Sequence, residues 1–194
     1  TGVVVGVGAW ALVESLHLLE GVVESIIGGR LWWVLVTVPV GLLVSWAIGH
    51  FLAPEVQGDG VPEAAAALIL RGGHIRGRVA PWKIAATSIA LGSGGSGGRE
   101  GPIVLIGASI GSKVARLAGL GEDQVRSLVA AGAGAGIGAA FNAPIAGMLF
   151  ALEVILSSFA VRHMSSIVVA SVAAAVTSRS LIGQDLILDA GAYR

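Results

Sequence analysis

The chain has 194 residues, 55% of them hydrophobic and 12% charged, with a formal net charge of zero and no cysteine. Its mean hydropathy is +0.86, and a soluble domain usually carries about 25% charged residues, so the composition reads as a polytopic membrane protein. Zero net charge gives no basis for a nucleic-acid partner, and the missing cysteines exclude disulfides and thiolate metal sites. No metal-ligand spacing is visible among His17, His50, His74 and His163.

Gly2 to Ile27 reads as a long helix, ended by Gly28-Gly29-Arg30. Its first apolar run lacks the basic segment of a signal peptide. Glu14, His17, Glu20 and Glu24 recur at three- and four-residue steps and share one face; a face at the membrane edge or in a subunit contact is preferred to a proton relay. Leu31 to Phe51 is the clearest spanning segment, since about 20 apolar residues cross a bilayer. Trp32, Trp33 and Trp46 suit the interfaces, and Pro39 predicts a kink.

Ala53 to Pro62 is polar and turn-rich, and a helix too short to span follows over Glu63 to Leu70. Arg71, Arg76, Arg78 and Lys83 form a basic loop, expected on the cytoplasmic side. Ile84 to Leu91 is a second short apolar piece. It leads into Gly92–Pro102, which reads Gly-Ser-Gly-Gly-Ser-Gly-Gly-Arg-Glu-Gly-Pro and cannot be helix interior.

Ile103 to Leu120 is the next predicted helix. Pro102 falls in its first turn, where a missing N–H costs nothing, and Glu100 lies at its start, where free N–H groups and the helix dipole attract anions. Gly107 and Gly111 form a small-residue face for close helix packing. Lys113, Arg116 and Arg126 mark a second basic loop, so segment 84–112 enters the membrane and returns, with the Gly-Arg-Glu-Gly-Pro stretch as its turning point. Irregular backbone at that depth must be buried in protein or line a wet cavity.

Gln124 to Ala140 repeats the small-residue pattern with Gly132, Gly134, Gly136 and Gly138. Phe141–Pro144 breaks it. Ile145 to Leu156 starts another helix, with Glu153 expected to be buried. His163 to Leu181 is a final spanning helix, before a tail (182–194) that ends polar. The count is about eight helices, no β-sheet, and breaks near 58–62, 98–101 and 141–144.

These breaks resemble those of the CLC family of chloride channels and proton–chloride exchangers. Gly58-Asp-Gly-Val-Pro-Glu63 resembles the family's first anion-binding loop, Gly98-Arg-Glu-Gly-Pro102 matches the second in full, and Gly136 to Glu153, with its Phe-Asn-Ala-Pro core, matches the long segment after it. The resemblance implies an all-α polytopic membrane fold of two inverted repeats with short, broken and tilted helices, working as a homodimer in the plasma (cell inner) membrane. It places the whole of 1–194 in the first repeat. The second repeat's Gly-x-Phe-x-Pro loop is missing (Gly49 to Pro54 misses by one residue), and so is its pore tyrosine, since Tyr193 is the only tyrosine. The chain is therefore expected to be part of a longer protein, without a complete anion site.

Carried over by position, Glu100 is the gating glutamate, whose carboxylate competes with chloride. Asp59, Gly60, Arg99, Glu100 and Gly101 are the anion-binding set, with backbone amides of Arg99, Glu100 and Gly101 as donors. No cofactor is implied; chloride or another small anion is the ligand, and the lipid bilayer is the surrounding partner. Two positions depart from the pattern. Asp59 stands where the family has serine, and an ionised Asp there repels an anion strongly; it is turned away as a helix cap, is protonated, or marks a different selectivity. Val154 stands where known exchangers carry a proton-relaying glutamate, which tilts the expectation towards a passive channel, with a proton-coupled antiporter as the alternative.

Three competing signals remain. Gly92 to Gly97 fits Gly-x-Gly-x-x-Gly, but no strand precedes it. Gly107-Ala-Ser109-Ile-Gly111 fits the serine-nucleophile pattern, which with His163 makes an intramembrane serine hydrolase the enzyme alternative; close packing by small residues is preferred. A half-length chain could also be a non-conducting scaffold.

Overall fold

The computed structural model describes residues 1–28, 31–157 and 161–182. Eight α-helices run in chain order among them: α1 (Gly2–Ile27), α2 (Val34–Ala47), α3 (Val61–Arg71), α4 (Val79–Gly92), α5 (Glu100–Leu117), α6 (Glu122–Phe141), α7 (Pro144–Phe150) and α8 (Val161–Ile182). No strand occurs among the described residues. Gly28 closes α1 in the left-handed conformation, its N–H donating to Glu24 O; the rest of the expected stop signal and the tail 183–194 lie outside the described residues. Three helical segments are long and apolar enough to cross a membrane: Gly2–Ile26, Val34–Leu52 and Met164–Leu181.

α5 and α6 form the centre. Residues Gly101 to Ser109 are all buried, and so is every residue from Val129 to Ala140. Their contact is made by absent side chains: a Cβ on Gly107 would meet Gly132 O, one on Gly111 would meet Leu128 O, and one on Gly132 would meet Gly107 O. Backbone against backbone is the closest approach two helices can make, and in lipid that packing replaces the hydrophobic drive available in water. α6 uses its other small residues in the same way, with Gly134 against Gly147 O of α7 and Gly136 against Ile103 O of α5. α8 and α1 flank this pair, with Gly2 and Gly6 of α1 seated on Ala170 O and Ala174 O of α8.

α2 continues through Pro39, which removes only its own hydrogen bond from the ladder. The irregularity lies at its two ends, in a 3₁₀ turn (Leu31–Trp33) and a π-helical turn (Ile48–Leu52). Much of α2 is exposed, with Leu35 at 79% and Leu43 at 64%. Trp32 and Trp46 are exposed as well, as interface positions require.

The basic loop is shorter than expected. α4 begins at Val79, so the loop is 72–78 and Lys83 belongs to a helix, where it is 4% exposed. Periodicity could not reveal this, because a lysine beside Trp82 and Pro81 reads as a loop until its partners are known. Arg116, expected in the second basic loop, lies in the last turn of α5 and donates to Ile75 O at 2.7 Å, with His74 Nε2 at 3.2 Å. Ser112 Oγ donates to Gly73 O at 2.8 Å and accepts from Ile75 N at 3.0 Å. The two basic segments are thus pinned together at one end of the helices, as a common membrane side demands.

Glu14, His17, Glu20 and Glu24 are all exposed on α1. α6 ends at Asn142, whose φ of 50 is the left-handed conformation that Asn tolerates better than most residues, and Pro144 starts α7. A π-helical turn, Ala151–Ile155, follows directly, and Glu153 within it is exposed rather than buried.

Candidate functional site

Three of the expected breaks meet the chain at helix starts: α3 at Val61, α5 at Glu100 and α7 at Pro144. Between α4 and α5, residues 93–99 carry no helix. The first ladder bond at the head of α5 runs from Ile103 N to Arg99 O at 3.1 Å. The N–H groups of Glu100 and Gly101 precede it and Pro102 has none, so these donors are left for a ligand or a capping group.

The α3 start is brought against the same place. Gly60 has φ 123, a conformation that a side chain would strain, and a Cβ there would meet Gly101 O. The Asp59 carboxylate lies on Gly101, whose own Cβ position it would obstruct. Two helix N-termini, each with positive dipole potential, therefore meet through Asp59–Gly60 and Gly101.

Asp59 is not the cap of α3. That position is Gly60, and Glu63 Oε2 accepts from Gly60 N at 2.6 Å. Asp59 is exposed, and so is Glu100, whose carboxylate folds back over Gly98. The expected burial of Glu100 is not found in this chain: its helix start is buried at Gly101 and Pro102, while the side chain points off the face. Arg99 is half-buried.

Sequence reasoning missed Lys83. Its Nζ donates to Gly58 O at 2.7 Å and Val56 O at 3.0 Å, fixing the loop that presents Asp59, and the carboxylates of Glu63 and Asp59 attract it. The available signal was a lone cation followed by an apolar run. Burial of such a charge is tolerated only with partners, here two carbonyls and two acids.

A cavity of about 560 Å³ lies over this junction, lined among others by Trp46, Gln57, Asp59, Lys83, Gly98 and Pro102. Gln57 also lines a second cavity, of about 460 Å³, shared with Glu55, Glu63, His74 and Arg76 at the basic-loop end.

Val154 is 42% exposed on the π-helical turn and lines neither cavity. The serine pattern has no nucleophile geometry: Ser109 is completely buried in mid-helix and donates to Arg76 O at 3.1 Å. The His163 side chain lies outside the described residues.

An all-helical membrane fold with broken helices, two of which begin beside one cavity at Asp59 and Pro102, defines the class of protein. The family is shown by direct comparison: the model described as "Voltage gated chloride channel" matches residues 40–193, and the chain belongs to that family. It is 35% identical over 193 residues, or 95% of its length, to the H(+)/Cl(-) exchange transporter ClcA of Vibrio vulnificus (strain YJ016), and 33% identical over 189 residues to that of Yersinia pseudotuberculosis serotype IB (strain PB1/+). It spans 38% of the length of each of these two relatives. Among solved structures it is similar to a slow cyanobacterial Cl-/H+ antiporter, with TM-score 0.80 and 26% identity over 99% of this chain and 47% of that one. It is also similar to a CLC-type fluoride/proton antiporter, with TM-score 0.78 and 26% identity over 93% of this chain and 44% of that one.

Proposed function

We propose that residues 1–194 form the first half of a transporter that exchanges a small anion, chloride in the first instance, for protons, with Glu100 as its gate. The observation that carries this reading is the meeting of the α3 and α5 starts at Gly60 and Gly101, with the free N–H groups of α5 beside a carboxylate on the same residue stretch. An anion and the Glu100 carboxylate compete for those donors, and protonation of Glu100 removes its competing charge. Asp59, Gly60, Arg99, Glu100 and Gly101 form this half of the anion site; the second half supplies the remainder, and two full-length copies assemble as a homodimer in the cell inner membrane. No cofactor enters the scheme.

The similarity to exchange transporters and antiporters favours exchange over the passive channel that Val154 suggests. A valine in place of an acid keeps the channel as the second reading. The deciding measurement imposes a chloride gradient on sealed liposomes holding the full-length protein, with no net driving force on protons. Exchange moves protons uphill and shifts internal pH; a channel leaves internal pH where it was.

A further inference from the structure

We propose that Asp59 is the proton-carrying residue of this protein, occupying functionally the place that an acid at position 154 would otherwise fill. The inference rests on the exchange reading above, which requires a proton route through a chain whose position 154 is valine.

Asp59 lines the cavity of about 560 Å³ and its carboxylate lies on Gly101 at the head of α5. Glu100, one residue away, folds its carboxylate over Gly98, which lines the same cavity. Both carboxylates thus lie against the start of α5, Asp59 on Gly101 and Glu100 on Gly98. The neighbouring acid on α3, Glu63, is committed to the Gly60 N–H at 2.6 Å, and Glu55 of the 3₁₀ turn Pro54–Val56 is committed to Arg76 and Arg78. Asp59 has neither engagement. Lys83 of α4 lines the same cavity, and Arg99 precedes Glu100 at the α5 cap. The Lys83 ammonium holds the loop by two carbonyls and offsets part of the negative charge that two adjacent carboxylates would bring together. Gln57 lies between this cavity and the second one and lines both; Arg71, His74 and Arg76 of the second stand at the basic-loop end.

The step is a proton transfer without a co-reactant. A proton from the bulk solvent, relayed as hydronium along water so that each water is left neutral, reaches the Asp59 carboxylate in its cavity and gives the carboxylic acid. That O–H then passes the proton to the Glu100 carboxylate, and Asp59 returns to its ionised form. While protonated, Asp59 no longer repels an anion and offers it an O–H donor, the chemistry a serine hydroxyl would provide.

The test uses the full-length protein in liposomes and reads the ratio of protons to anions moved, which does not depend on how much protein inserts. The wild type moves protons against a chloride gradient. Asp59→Ser removes the carrier and drops the ratio towards zero, and Asp59→Glu, which restores an acid, restores the ratio. A ratio that survives Asp59→Ser overturns the inference and leaves exchange intact; so does a ratio that falls instead in Glu153→Gln. Absence of proton movement in the wild type overturns exchange itself and this inference with it. Where Asp59→Ser stops anion flux altogether, Asp59→Glu decides: recovered flux with proton movement supports the role, and a dead Asp59→Glu overturns it in favour of a steric requirement at the loop.

Discussion

At Glu100 a single carboxylate stands at a helix start whose first N–H groups the ladder cannot use, and in the proposed scheme its charge state sets whether an anion finds them free. Glu100→Gln keeps the shape and removes the charge. Anion efflux from liposomes holding the full-length variant is expected to exceed that of wild type at neutral pH and to lose the pH-dependent step that Glu100 provides; an efflux profile identical to wild type sinks the gate. A second residue-scale expectation concerns Glu55. Burial pushes its carboxyl up, but a backbone hydrogen bond, the Arg78 guanidinium and the Arg76 charge together hold it below its ordinary value of 4.5. A carboxylate depressed in the folded state contributes stability above its unfolded pKa and loses it as pH falls through the folded value. Glu55→Gln is therefore expected to lower stability in detergent at pH 7 by no more than about 1 kcal/mol for so exposed a pair, read as a small drop in melting temperature. The difference from wild type should vanish as the pH drops below 4.5. A gap that persists in acid would mean that the contribution is not ionic.

Elements in this fold are shaped by what glycine permits between them. The α5–α6 seam has no room for a methyl group at Gly107, whose Cβ would strike the carbonyl of Gly132. Gly107→Leu is expected to destabilise the protein by about 3 kcal/mol or more, because a backbone carbonyl cannot swing aside as a side chain can. Gly21→Ala in α1, where nothing lies within 4 Å, should be neutral or slightly stabilising through helix propensity. Thermal unfolding of the two variants in detergent checks both, and equal melting temperatures would show that the seam is looser than its geometry. The helix breaks have the same origin. A positive φ at Gly60, a left-handed Asn142 and the prolines at 102 and 144 stop or start helices where a site or a turn is required.

For the protein as a whole, the proposed function needs more than these residues supply. Asp59, Glu100 and much of α2 face outward, and the second loop and tyrosine of the family pattern do not occur in the sequence. Residues 1–194 alone, reconstituted in liposomes, are expected to give no anion efflux above protein-free vesicles, whereas the full-length protein does. Efflux from the half chain would mean that the α3 and α5 starts suffice as a pathway.

Composition and punctuation settled the class before any coordinates: hydropathy demanded membrane helices, and Gly/Pro clusters within apolar runs demanded that several be broken. The starts of α3, α5 and α7 all fall within or beside the breaks expected at 58–62, 98–101 and 141–144, because glycine and proline act on the backbone locally. Burial of individual charges was not legible. Lys83 and Glu100 each lie next to apolar runs, yet the first is enclosed by two carbonyls of a loop 25 residues upstream while the second stands on an open face. Asp59 as a helix cap was equally plausible from the chain, and only the seating of Glu63 on the Gly60 N–H assigns the cap elsewhere. Local chemistry dictates where a helix ends; which distant carbonyl, acid or cavity meets a side chain depends on how the helices pack.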